Sequence, residues 1–171
     1  MPKSSPLSDR LPELLSTKHD RAAFNSGNEQ LDDYLKHRAS QDARRGVAVP
    51  YVIAQDDDKV ASYYTLSSSS IDIGKLPPKL EKKLPPHAVL GATLLGRMAV
   101  DKKHQRQGLG STMIAHALDQ AFRVNPAGSI AVVVDAFDAK AIRFYEDHGF
   151  FRLPETARTL FILRESLLKF L

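Results

Sequence analysis

The segment from Leu94 to Phe122 constrains this chain more than any other, because it joins a strand, a glycine loop and a helix. Leu94 to Val100 is apolar enough for a buried strand, and Met113, Ile114, Ala117, Leu118 and Ala121 recur at helical spacing between Gly110 and Phe122. Between them lies Gln105-Arg106-Gln107-Gly108-Leu109-Gly110. This order makes a phosphate-binding geometry. The first-turn N–H groups of the helix have no partner within it, and the helix dipole adds partial positive charge there. Gly108 and Gly110 let the backbone approach a ligand without an intervening Cβ, and Arg106 can add a charge-assisted bond to a phosphate oxygen. The loop lacks the Gly-Lys-Ser/Thr ending of a P-loop and the third glycine of a dinucleotide fingerprint, so neither nucleotide site is expected.

Around that segment, short strands alternate with helices. Residues 1–10, with Pro2, Pro6 and several serines, read as a loose leader, and Leu11 to Leu15 as a first strand. Ser26 followed by Glu29 is a capping-box pattern ahead of Leu31, Tyr34, Leu35 and Ala39, which predicts one helix from about Asn28 to Arg45. Tyr51 to Ala54, the acidic turn Asp56-Asp57-Asp58-Lys59, and Val60 to Leu66 predict an antiparallel hairpin. Residues 67–88 form a polar, proline- and lysine-rich insertion with room for one short helix. Further on, Ile130 to Val134 predicts a strand, Ala139 to His148 a helix ended by Gly149, and Leu160 to Leu163 a last strand. The pattern is a mixed α/β (α+β) layout in a single domain, without internal repeats.

Composition bounds the chemistry. The 171 residues are 43% hydrophobic and 26% charged, as in an ordinary globular domain. Zero cysteines exclude a thiol nucleophile and a thiolate metal site, and they fit a reducing cytoplasm. No long apolar run suggests a signal peptide or a membrane span, and no metal is expected. The net charge of +4 suits a polyanionic partner such as RNA, or a phosphate-rich cofactor, or only solubility.

Three ordered motifs carry a family resemblance: the strand Arg97-Met98-Ala99-Val100, the loop from Gln105 to Gly110, and Ala141-Ile-Arg-Phe144-Tyr145-Glu-Asp-His-Gly149-Phe150. Together, from about Val49 to Leu163, they resemble the GNAT family of N-acetyltransferases. The resemblance implies a mostly antiparallel sheet in which two parallel strands splay apart to admit the pantetheine arm of acetyl-CoA. It also implies a cofactor-binding set of Met98, Ala99, Val100, Gln105, Arg106, Gln107, Gly108, Leu109, Gly110, Ser111 and Phe144. One N–H of the Met98–Val100 strand is expected to bond the thioester oxygen. Tyr145 is the implied general acid that protonates the departing thiolate; the bland alternative is a core tyrosine. Phe144 faces another way and is assigned to packing, and Arg97 to a bridge between sheet and helix rather than to substrate. Glu146, Asp135 and His148 are candidate bases, each with a structural role also open to it.

A narrower resemblance concerns the acceptor. Phe24-Asn-Ser-Gly-Asn-Glu-Gln-Leu31-Asp-Asp-Tyr-Leu35, Tyr63-Tyr64-Thr-Leu-Ser67 and the Leu-Pro pairs at 76–77 and 84–85 are similar to acetyltransferase toxins of bacterial toxin–antitoxin modules. Ser26 stands where many such proteins have cysteine, and serine can cap the helix. The resemblance implies acetylation of the α-amine of aminoacyl-tRNA, a block of translation, neutralisation by a ribbon-helix-helix antitoxin, and a homodimer. An α-amine beside an ester should titrate below the roughly 8 of a free α-amine, so it needs no strong protein base. Lys36 and Arg44 on the first helix, with Lys82 and Lys83 in the insertion, are the candidate RNA contacts; Asp32, Asp33 and Asp42 would oppose them if they faced the same way. A housekeeping acetyltransferase for a small amine or a protein N-terminus, and a non-catalytic acyl-CoA sensor, are the competing expectations.

Overall fold

The computed structural model describes residues 5–86 and 88–168, so Pro2 of the expected leader and His87 of the insertion lie outside the described residues. The chain divides into two compact units, Met1–Ser67 with Gly96–Ala117, and Ser68–Leu95 with Leu118–Leu171. Two long strands, β3 (Val60–Asp72) and β4 (Val89–Val100), contribute residues to both.

In the first unit the strands run in the order β1-β2-β3-β4, with β1 at Glu13–Leu14 and β2 at Val49–Ala54. The β1–β2 and β2–β3 pairs are antiparallel, and the hairpin register sets Val52 opposite Tyr63 and Tyr51 opposite Tyr64. Alternation then sends Tyr63 and Tyr64 to opposite faces. On one face Tyr63 joins Phe24, Tyr34, Leu35, Ala39, Val52, Val60 and Ala99 in a buried cluster. Phe24 meets the Tyr63 ring edge-on at 5.7 Å, Tyr34 stacks on it at 6.3 Å, and the Tyr63 hydroxyl donates to the Leu31 carbonyl at 2.7 Å. On the other face Tyr64 stacks on Tyr51 at 5.2 Å and bonds His116 Nδ1 at 2.5 Å.

Three expectations for this unit change. The single helix predicted over 28–45 is two, α1 (Glu29–His37) and α2 (Ala39–Arg45), broken at Arg38 with φ −124°. The Leu35 carbonyl would accept from Ala39 in a continuous helix; here the Arg21 guanidinium donates to it at 2.9 Å and to Ser40 Oγ at 3.0 Å. The N-cap is Asn28 rather than Ser26. Its side chain accepts from the amides of Gln30 and Leu31, while Ser26 Oγ is drawn to the buried Asp32 carboxylate at 2.6 Å. Finally, residues 7–9 of the expected loose leader form a 3-10 turn, and Arg10 donates to the Ala54 carbonyl and pairs with Asp56.

In the second unit the order is β3-β4-β5-β7-β6, with β5 at Ala131–Asp135, β6 at Phe151–Arg152 and β7 at Thr159–Leu163. β4 and β5 are parallel, from Thr93 opposite Val132 to Leu95 opposite Val134; β7 is antiparallel to both β5 and β6. The mixed α/β class is therefore as expected, with one parallel pair among antiparallel ones. Of the expected insertion, Ser67 to Asp72 belongs to β3. The serines there alternate in exposure and end on buried Ile71, because a half-solvated strand places small polar groups on its open side. The rest, including the short helix α3 (Pro78–Glu81), is docked: Ile73 and Leu76 lie in a core with Ile71, Ala92, Ala131, Val133, Phe161 and Leu163, and Leu80 and Leu84 pack against it.

The remaining helices are α4 (Leu109–Asp119), which runs on into a π-turn at Gln120–Val124, α5 (Ala139–Asp147) and α6 (Arg164–Leu168). Asp138 caps α5 by accepting from the Ala141 amide, and Gly149 follows it at φ +89°, the left-handed position expected of it.

Asn28→Ala removes two hydrogen bonds from the start of α1, and a loss of about 1 kcal/mol is expected. Urea unfolding should show a lower midpoint with an unchanged slope. An unchanged midpoint would mean that α1 does not depend on this cap.

Candidate active site

Strand β4 continues from Gly96 to Val100 after its last pairing with β5 at Leu95. Along this stretch Ala99 is buried in the aromatic cluster of the first unit, Met98 and Val100 are half-buried, and Arg97 is exposed. The Arg97 amide donates to Thr65 Oγ1 on β3 at 3.1 Å, and a Cβ at Gly96 would stand 2.9 Å from that same oxygen. The expected bridge is formed: the Arg97 guanidinium carbon lies 3.8 Å from the centroid of the Tyr34 ring on α1.

The glycine loop is held from three sides. Asp101 caps the 3-10 turn Lys102–His104 through the Lys103 amide, and its other oxygen accepts from the Asn25 amide. Gln105, expected at the cofactor, uses its side-chain amide inside the loop, donating to the carbonyls of Val100 at 2.9 Å and Ser26 at 3.1 Å. Gln107 reaches back to the Lys103 carbonyl at 3.4 Å. Leu109 is only 1% exposed and anchors the start of α4. At the start of α4 the Thr112 amide donates to the Gly108 carbonyl, so the Leu109 and Gly110 amides precede the first amide with a helical acceptor. Thr112 Oγ1 also donates to the Ser8 carbonyl at 2.6 Å, tying the amino-terminal turn to this helix.

Arg106, Gln107, Gly108 and Ser111 are exposed and Gly110 is half-buried. Gly108 has φ +85°, and a Cβ there would meet nothing closer than Ser8 Cβ at 3.6 Å. The amides at the start of α4, the open space over Gly108 and the exposed Arg106 fit a pyrophosphate.

Tyr145 lies in the second unit, on α5, and is 6% exposed. Phe144 and Phe150 each meet its ring edge-on at 5.4 Å. Among the described residues its hydroxyl makes no hydrogen bond, and burial pushes the phenol well above its usual range. Phe144, expected to be the packing residue, is half-buried, with its ring 4.4 Å from His148, so the more deeply buried of the pair is the tyrosine. Each candidate base has a structural partner. His148 Nδ1 donates to the Phe144 carbonyl at 2.7 Å, Asp135 accepts from Thr159 Oγ1 at 2.7 Å, and Glu146 pairs with Arg152 at 3.3 Å.

Lys36 is half-buried and Arg44 exposed, but the break at Arg38 sets them on different helices; Ser40 between them is bonded to Arg21. Three aspartates of this region have partners of their own. Asp32 is buried on Ser26, Asp42 accepts from the Tyr34 hydroxyl at 2.8 Å, and Asp33 pairs with His37 at 2.8 Å. Lys82 and Lys83 are exposed just after α3. Among the described residues no three His, Asp or Glu side chains gather as a metal-binding group, and no helix is long and apolar enough to cross a membrane.

Residues 13–150 match the acetyltransferase (GNAT) family. The chain belongs to that family. It is 32% identical over 157 residues to the tRNA-acetylating toxin of Mycobacterium tuberculosis (strain ATCC 25618 / H37Rv), covering 91% of this chain and 92% of that protein. It is similar in structure to AtaT complexed with acetyl-methionyl-tRNAfMet, with TM-score 0.85 and 30% identity over 94% of this chain and 98% of AtaT. It is also similar to a tyrosine-to-phenylalanine variant of the AtaT toxin bound to the C-terminus of the antitoxin AtaR and acetyl-CoA, with TM-score 0.78 and 26% identity over 93% and 96%. The chain is thus an acetyl-CoA-dependent N-acetyltransferase.

Two long-range contacts of the loop, from Thr112 to Ser8 and from Gln105 to Ser26, have no local signal in the sequence. Gly108→Ala meets open space but a left-handed backbone, so it should cost about 1 kcal/mol of stability and raise the KM for acetyl-CoA several-fold. Steady-state kinetics check this, and an unaltered KM would separate the loop from cofactor binding.

Proposed function

We propose that this chain, acting as one catalytic domain in the cytoplasm, transfers acetyl from acetyl-CoA to the α-amine of aminoacyl-tRNA and thereby stops translation. A cognate ribbon-helix-helix antitoxin neutralises it, and it works as a homodimer. The carrying observation is the similarity to a tRNA-acetylating toxin over 157 residues, more than the cofactor-binding motifs between 95 and 150 could supply. The likeness to AtaT with an acetylated methionyl-tRNA supports the same acceptor, and the antitoxin-bound AtaT structure supports the partner.

The roles follow from chemistry. The amides from Gly108 to Ser111, with Arg106, hold the pyrophosphate; Leu109 fixes the helix start, and Gln105 and Gln107 keep the loop in shape. When bound, acetyl-CoA supplies an activated acyl carbon. A backbone N–H between Met98 and Val100, flanking Ala99, bonds the thioester oxygen as negative charge grows on it. Tyr145 delivers its proton to the departing sulfur, and Phe144 packs beside the cofactor. No side chain is required as base, because the ester-linked α-amine is partly unprotonated at neutral pH. Lys36, Arg44, Lys82 and Lys83 draw in the RNA backbone.

Burial raises the Tyr145 phenol, so it stays protonated through neutral and mildly alkaline pH. The rate of transfer should therefore rise with pH as the acceptor amine loses its proton, then plateau, without an alkaline decline up to about pH 10. Tyr145→Phe should lower kcat about 10²- to 10⁴-fold with acetyl-CoA binding retained. In cells, wild type from a tight promoter should arrest growth and the variant should not. Incubation with labelled acetyl-CoA, charged tRNA and a panel of small amines tests the acceptor. Label on tRNA that is released by mild base supports the proposal. Label only on small amines, with normal growth, would establish the housekeeping reading instead.

A further inference from the structure

We propose that the Arg97 guanidinium is a preformed site for a phosphodiester near the aminoacylated end of the acceptor RNA. The inference rests on aminoacyl-tRNA being the substrate and concerns a residue that packing alone does not explain. Arg97 is pinned twice, its amide by Thr65 Oγ1 at 3.1 Å and its guanidinium carbon over the Tyr34 ring, 3.8 Å from the centroid. That ring is itself fixed, stacked on Tyr63 and bonded through its hydroxyl to Asp42. The stack restrains the guanidinium without using its N–H groups, which lie in its plane and point outward.

Among the described residues the Arg97 guanidinium has no ion pair and no hydrogen bond, although the side chain is exposed. None of the carboxylates of α1 and α2 pairs with it: Asp32 accepts from Ser26, Asp42 from Tyr34, Asp33 pairs with His37, and Glu29 makes no ion pair among the described residues. A rigid, uncompensated fork of donors is the recognition geometry for a carboxylate or a phosphate. The acceptor chemistry decides between them. The carboxyl of an aminoacyl-tRNA is an ester and carries no charge, so the anions near its amine are the phosphodiesters of the RNA end. Arg97 is the residue next to Met98, on the strand that offers its amides to the thioester oxygen, so an anion held there sets the end of the RNA against the reacting strand.

Single-turnover acetylation and filter binding of charged tRNA, between 50 and 200 mM salt, test this with wild type, Arg97→Ala and Arg97→Lys. Arg97→Ala should raise KM and Kd about ten- to hundredfold, chiefly through affinity rather than kcat. It should also lower the slope of log affinity against log salt by about 0.7, the loss of one single-strand phosphate contact. Arg97→Lys should recover part of the affinity and of the slope, since the ammonium keeps the charge and loses the planar fork. Wild-type affinity and slope in Arg97→Ala would overturn the proposal. So would a lower melting temperature and kcat with an unchanged slope, which would leave only a packing role. If wild type does not acetylate charged tRNA, the acceptor reading fails and this one with it; if wild type does and Arg97→Ala matches it, this one alone fails.

Discussion

The Tyr63 ring is the point from which the first unit is built. It projects from β3, receives Phe24 on its edge and Tyr34 on its face, and donates its hydroxyl to the Leu31 carbonyl of α1. Each aromatic pair is worth about 0.5–1.5 kcal/mol beyond the area it buries. The hydroxyl bond removes the cost of burying a phenol, and burial pushes that phenol well above its ordinary range, so it remains a donor. Tyr34 repeats the arrangement one layer out: its hydroxyl bonds Asp42, its phenol is pushed up to about 12 chiefly by burial, and its outer face carries Arg97. A strand, two helices and one end of β4 are thus registered by a column of rings, each with its polar atom satisfied.

Tyr145 is built on the opposite principle. Its ring is also buried, though less completely than those of the column, and its hydroxyl has no hydrogen bond among the described residues. The only fully buried side-chain polar atom without a partner among the described residues is Ser62 Oγ, so the Tyr145 oxygen is not sealed off in the core. The contrast with Tyr34 and Tyr63 separates a structural tyrosine from the proposed acid on hydrogen bonding, since burial is common to all three.

The glycine loop shows the same division of labour on the backbone. Side chains that look suited to a ligand, Gln105 and Gln107, are spent on carbonyls of the loop and its neighbours, and Leu109 is core. Gly108 and Arg106 remain exposed beside the first amides of α4. A phosphate site made of amides keeps its shape only if surrounding side chains are committed to holding it. The side-chain amides of these two glutamines do that holding here.

Much of this was legible in the residues themselves. The hairpin of Tyr51–Ala54 with Val60–Leu66, the amphipathic α4, the β-branched β5 and the Gly149 cap follow from local periodicity and backbone preference, and these act within a few residues. The strand-loop-helix signature and Phe144-Tyr145 fixed the cofactor class for the same reason. The break at Arg38 was not legible, because it goes with a guanidinium from outside the helix, that of Arg21, fourteen positions before the Leu35 carbonyl to which it donates. Nor was the extension of β3 through four serines, where a neighbouring strand overrides weak propensity. Local residue pattern thus settles most elements and the chemistry that the loop can hold. Which polar groups stay without a bond, Arg97 among them, is settled by the fold, because hydrogen-bond satisfaction depends on partners brought together from distant parts of the chain.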